Sequence, residues 1–203
     1  MVIGSENMSK IVALQKQHAP ALRAGDLARC ERELTAQLAA LPRSPFHSIL
    51  DLSITTEAKA VANWCDDFFR RESARIKIGA AYVEMNGFNV NPGLWFFNAF
   101  AYRRYGGHDD YDWLADWQSD DSGVMAIKGL EPLQKVYDSD AFQDGRFSDA
   151  CDVTDLLVVV KFQNLIQEAS LHMQELRFPL LATAHEFDFI YETSHVKRSA
   201  ESL

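Results

Sequence analysis

The hydrophobic pattern of this chain changes period at Ile76, and that change limits its fold more than any other feature. Before Ile76 the apolar residues return with a helical repeat. Gly25-Asp26 opens a helix that Asp26 can cap, with Leu27, Leu34, Leu38 and Leu41 as its apolar stripe and Pro42 as its stop. Thr55 and Thr56 offer an N-cap to the next helix. Its face is Ala58, Val61, Ala62, Cys65, Phe68 and Phe69, and it runs to about Arg75. Arg70, Arg71 and Arg75 near its end complement the helix dipole, with phosphate binding as the other reading. Residues 1–10 read as a flexible lead, and Ile11–Leu22 as a short helix interrupted by Pro20. Pro45–Leu52 fits a short helix or a strand.

From Ile76 the pattern turns to strands. Ile76–Met85 reads as the first, and Asn86-Gly87 as a turn. Phe88–Val90 and Leu94–Tyr102 continue the β character, and Gly106-Gly107 turns the chain. Tyr111, Trp113, Ala115 and Trp117 fall at period two, which predicts one face of a strand. Asp112, Leu114, Asp116 and Gln118 would form its other face. Val124–Ile127 follows as a further strand, and the short connections imply an antiparallel meander. Leu130–Tyr137 reads as a short helix, followed by a polar loop to Asp149.

Asp152–Leu176 is the longest expected helix, with Val158, Phe162, Leu165, Ile166, Ala169, Met173 and Leu176 as its seam. The β-branched run Val158–Val160 leaves a strand as the alternative there. Phe178–Glu192 reads as a closing strand, and the last ten residues as frayed. No linker divides the chain. The expectation is a single α+β domain over residues 1–203, with N-terminal helices, an antiparallel β-meander, a long C-terminal helix and a closing strand.

The net charge of −9 sets the chain against nucleic acid and toward basic partners. Most of that charge is local. Between Arg103 and Gly145, four basic residues face ten acids, a balance of −6. Three widely spaced cysteines, Cys30, Cys65 and Cys151, with no CxxC, fit reduced thiols and a cytoplasmic setting. Neither a signal peptide nor an apolar run long enough for a membrane span is expected.

Six of the acids lie in His108–Asp121, HDDYDWLADWQSDD, beside one tyrosine and two tryptophans and without lysine or arginine. Exposed aromatics supply contact area at low entropy cost, and aspartates around them draw a cationic partner. The plainer reading makes the aromatics core and the acids a solvated surface. Both hold together if the aromatics point inward and the acids outward. The candidate partner-binding residues are Asp109, Asp110, Asp112, Trp113, Asp116, Trp117, Asp120 and Asp121.

Motifs for catalysis are lacking: there is no GxGxxG, P-loop, GxSxG or HExxH. No catalytic residue, metal ligand or cofactor is assigned. His108, Asp109, Asp110 and Asp112 carry donor types suited to a divalent ion, which makes a metal-dependent hydrolase the rival reading. Their spacing is not that of a calcium loop. Cys151, near an expected helix N-terminus, is the candidate reactive thiol. His185 and Glu186, as strand neighbours, would face opposite ways and form no dyad.

Three segments between Tyr82 and Tyr137 carry a resemblance. EMNGFNVNPGLWFFNAFAY, YGGHDDYDWLADWQSDD and GLEPLQKVY, about a quarter of the chain, resemble small bacterial immunity proteins of polymorphic toxin systems. The resemblance implies a non-enzymatic cytoplasmic protein that neutralises a basic toxin domain. It carries no catalytic motif and transfers no functional residue. A third reading is a homo-oligomeric structural protein joined through the seam of Asp152–Leu176.

Overall fold

The computed structural model describes residues 5–193, with side chains from Lys10 onward. The expected frayed end, 194–203, lies outside the described residues, as do residues 1–4 of the expected lead.

The rest of that lead is helical. Helix α1 runs Ser5–Arg23 and passes through Pro20. Ile11 and Leu14 pack on the core, and once a helix is nucleated each further residue adds a hydrogen bond at little cost. Pro20 removes one amide donor, and the helix ends a turn later at Arg23, followed by Gly25, whose φ of +71° suits glycine. Helix α2, Leu27–Ala40, follows as expected. The Asp26 carboxylate accepts the Arg29 amide at 3.0 Å, and Leu27, Cys30, Leu34 and Leu38 are buried. Pro45–Asp51 settles as a 3-10 turn that buries Phe46, His47 and Ile49.

Helix α3, Ala58–Ser73, buries the expected face. Its N-cap is Glu57, not a threonine. Thr56 is committed elsewhere: its hydroxyl donates to the Ala126 carbonyl at 3.3 Å and accepts the Lys128 amide at 2.9 Å.

Five strands form one mixed sheet in the order β3-β2-β1-β4-β5. They are β1 (Ala80–Met85), β2 (Phe96–Tyr102), β3 (Met125–Ala126), β4 (Leu180–Ala184) and β5 (Tyr191–Thr193). The antiparallel meander runs from β1 to β3. On its other side β1 pairs parallel with β4, with Ala81 opposite Leu180. A parallel neighbour needs a long crossover, and here α4 (Glu131–Tyr137) and α5 (Ser148–Ser170) lie in the intervening chain. Phe88–Val90, expected as strand, is a turn between β1 and β2.

The closing strand is split into β4 and β5. Between them, buried Gln163 of α5 donates to the carbonyls of Ala182 (3.0 Å) and Phe189 (2.6 Å). Those bonds draw the chain out of the sheet before β5 pairs back against β4.

Helix α5 begins and ends earlier than expected, so Met173 and Leu176 are buried in the turn beyond it. Leu156–Val160 stays helical and is buried on every side. Burying each valine contributes about 1.5–3 kcal/mol. Its lower helix propensity costs at most about 0.7 kcal/mol, so packing decides. The apolar seam of this helix is already spent on the core.

Strand alternation divides the sheet into two faces. Ala81, Val83, Met85, Phe97, Ala99, Ala101, Leu180 and Ala182 point into the main core with α2, α3 and α5. Ala80, Tyr82, Tyr102 and Leu181 form a second buried cluster on the opposite face. Among the described residues no α-helix covers this second cluster. Phe100, Tyr105, Tyr111, Trp113, Leu114 and Ile190 do.

Candidate functional site

The acidic segment is the cover of that second face. Residues 103–124 leave β2, fold across the sheet and return beside β2 before β3 begins. The strand expected over 111–117 is absent: Asp112–Ala115 is a 3-10 turn. The period-two spacing misled because the segment turns back on itself. The Asp110 carboxylate accepts the Asp112 amide at 2.8 Å, and the Leu114 amide bonds the Tyr111 carbonyl at 2.9 Å.

Aromatic contacts fix the first half of the loop. Trp113 is half-buried, edge-on to Tyr102 with centroids 4.9 Å apart, and 5.7 Å from Tyr105. Its indole N–H donates to the Gly107 carbonyl at 3.2 Å. The Tyr102 hydroxyl donates to the Leu114 carbonyl at 2.8 Å, and the Tyr105 hydroxyl to Glu192 of β5 at 2.8 Å. Backbone and ring meet closely at Gly106, where a Cβ would stand 2.2 Å from Trp113 Cδ1.

Serines fix the second half. The β2 amides of Ala99 and Ala101 donate to the hydroxyls of Ser122 (2.9 Å) and Ser119 (3.0 Å). Side chains thus satisfy backbone groups that a full edge strand would otherwise pair. The C-terminal turn of α3 holds the same stretch from behind. Glu72, wholly buried, accepts the Asp120 amide at 3.2 Å and pairs with Arg71 (3.2 Å) and Arg75 (2.6 Å). Arg75 also pairs with Asp120 at 2.9 Å, and Arg71 donates to the Asp121 carbonyl at 2.9 Å. The arginines that complement the α3 dipole therefore also anchor the acidic loop. Nothing in their spacing announces this contact.

All six aspartates are exposed. Trp113 turns inward, whereas Trp117 is 51% exposed and leans on Phe100 with ring centroids 5.2 Å apart. Asp109, Asp110, Asp112 and Asp116 have no basic side chain paired to them among the described residues. Asp120 does, so part of the loop's charge is neutralised internally. A cavity of about 250 Å³ opens between Trp117, Phe100, Asn98, Asp120, Asp121 and Ser122.

The proposed metal ligands do not converge. His108 turns to Glu192, at 3.5 Å, while Asp109, Asp110 and Asp112 point to solvent. Among the described residues no group of three His, Cys, Asp or Glu side chains is placed to hold a metal ion.

Cys151 is not an activated thiol. Burial and then the nearby carboxylates of Asp155 and Asp152 push it far above the ordinary range. His185 lies in a turn, with its Nδ1 2.9 Å from Glu84, and Glu186 beside it has a φ of +67°.

Two further features escaped the sequence reading. Asp155 is buried and accepts the Tyr137 hydroxyl, with burial raising its carboxyl to about 7. The Tyr137 ring is buried and packed by Phe46, Phe88, Trp95 and Phe142. A cleft of about 490 Å³ lies between α1, α2 and the start of α5. Leu14, Leu41 and Val153 line it together with the Lys10–Asp149 ion pair (2.8 Å), and among the described residues its lining holds no serine, threonine, cysteine or histidine.

Among the described residues no helix is long and apolar enough to cross a membrane. The chain matches no family model, no curated protein and no solved structure.

Proposed function

We propose that this is a non-enzymatic binding protein of the immunity type, which neutralises a basic toxin domain through the loop 103–124. The observation that carries this reading is the division of labour within the loop. Its tyrosines and Trp113 are spent on the sheet, so its carboxylates stand outward on a backbone fixed at both ends. A fixed array of like charges loses little entropy on binding and steers an oppositely charged partner. Asp109, Asp110, Asp112 and Asp116 supply that field, and a carboxylate array covering a basic active-site cleft would exclude its anionic substrate.

The test is capture from the source cell's lysate and secreted fraction at low and high salt. The captured protein is then expressed alone and together with this chain. The expected result is a basic protein that is toxic alone, harmless in co-expression and released by salt. Asp112→Lys with Asp116→Lys should weaken capture and flatten its salt dependence. Unchanged affinity and unchanged salt dependence in that double variant would remove Asp112 and Asp116, and the charge-field account built on them, from the reading.

A further inference from the structure

We propose that the cavity between Trp117 and Phe100 is a socket for one arginine side chain of the partner. This inference rests on the basic-partner reading above and makes it specific.

Size sets the first limit. At about 250 Å³ the cavity is smaller than the roughly 300–1,000 Å³ pockets that enclose whole ligands, and it suits a single side chain. The walls set the second. The Trp117 ring leans on Phe100, with centroids 5.2 Å apart at 57°, and Phe100 in turn stacks on Tyr82, so Trp117 is the aromatic wall that stays open. Trp117 closes no part of the core, and half of its surface meets solvent. An exposed tryptophan face attracts a planar cation.

Charge sets the third. Asp120 and Asp121 also line the cavity. Asp120 is already paired with Arg75. Asp121 is held by its backbone, through Arg71 on its carbonyl, while its Oδ1 accepts the Gly123 amide at 2.9 Å. No basic side chain among the described residues pairs with the Asp121 carboxylate, so it is the acid left for an incoming cation. The immediate surroundings stay negative by one charge: Asp120, Asp121 and Glu72 stand against Arg71 and Arg75. A guanidinium can stack on the ring and fork to a carboxylate together, whereas an ammonium is a compact point charge that cannot stack.

The test is fluorine NMR on the full chain carrying 5-fluorotryptophan. Four resonances are expected, from Trp64, Trp95, Trp113 and Trp117, with Trp117 assigned by Trp117→Phe. The probes are the acetylated methylamides of arginine, lysine and citrulline at low salt. Arginine should shift the Trp117 resonance saturably. Lysine should bind several-fold more weakly, and citrulline, which lacks the charge, should leave the resonance in place. Asp121→Asn should weaken the arginine response about tenfold while the other three resonances stay put, which shows the variant folded.

An unmoved Trp117 resonance, an equal response to citrulline, or an unaffected Asp121→Asn variant overturns the socket. The two ideas fail separately. If the socket fails but Asp112 and Asp116 still govern capture, only the socket is lost. If arginine binds at Trp117 but the double variant captures the partner unchanged, the charge-field account built on Asp112 and Asp116 is lost and the socket stands.

Discussion

Arg75 joins the C-terminal turn of α3 to the acidic loop: its guanidinium lies 2.9 Å from the exposed Asp120 carboxylate and 2.6 Å from the buried Glu72 carboxylate. Glu72 is the centre of this clamp, because it serves two arginines and a backbone amide at once. Glu72→Ala would leave those donors without their acceptor. Both arginines are about half exposed and can turn to water, so the expected loss is about 1–3 kcal/mol. Arg75→Ala removes a partly solvated pair and should cost about 1 kcal/mol or less. Urea titration of the two variants checks the order, and equal losses would show that the buried carboxylate is not the centre.

Gly106 is the point where the loop backbone lies on the Trp113 ring. Gly106→Ala forces a methyl group into that ring, so Trp113 must leave its place against Tyr102. The expected destabilisation is about 1–3 kcal/mol, with a red shift in tryptophan emission as the indole meets water. An unshifted spectrum would mean that the loop accommodates the methyl without moving the ring.

Ser119 and Ser122 replace a strand partner for β2. Ser119→Ala with Ser122→Ala should speed hydrogen exchange at the Ala99 and Ala101 amides far more than at the β1 amides. Each lost bond should cost about 1 kcal/mol. Exchange that rises equally over the whole sheet would argue for global destabilisation instead.

The Asp155–Tyr137 pair makes stability depend on pH in an unusual direction for a carboxylate. Burial raises Asp155 from 3.8 to about 7, so between these limits the folded state holds a proton that the unfolded chain has released. The stabilising contribution is full below about pH 4 and is lost as pH rises through 7. Asp155→Asn keeps an acceptor for the Tyr137 hydroxyl and carries no charge. Its stability should fall less than wild type between pH 4 and 8, a difference on the order of a few kcal/mol. Asp152, raised to about 6 mainly by burial, adds a slope of the same sign to both proteins. Parallel pH profiles would show that Asp155 is not the group responsible.

Local rules carried much of the fold. Asp26 caps α2, the apolar stripes of α2 and α3 are buried, and the change of period at Ile76 marks the passage from helices to sheet. What local rules missed was decided by partners distant in sequence. Thr56 could have capped α3, but Ala126 and Lys128 claim its hydroxyl. The parallel pairing of β1 with β4 depends on where the chain beyond β3 returns to the sheet. At the candidate site the outward acids and the inward Tyr111 and Trp113 were legible together, but Trp117, expected on the same face, is half exposed. The backbone that presents them was not legible, because alternation at four positions cannot tell a strand from a turn tied down by Asp110, Gly106 and Tyr102. The clamp of Glu72 and the contact of Phe100 with Trp117 left no mark in the sequence around the acids.

The loop that covers the second sheet face has a consequence for how such a protein changes over generations. Its anchors (Tyr102, Tyr105, Asp110, Trp113, Ser119 and Ser122) are separate side chains from its outward residues Asp109, Asp112 and Asp116. Substitution at exposed positions away from such anchors usually alters stability by no more than about 0.5 kcal/mol. On the proposed reading, preference for one partner over another can therefore be rewritten letter by letter on the outer side, while the chain beneath goes on folding as before.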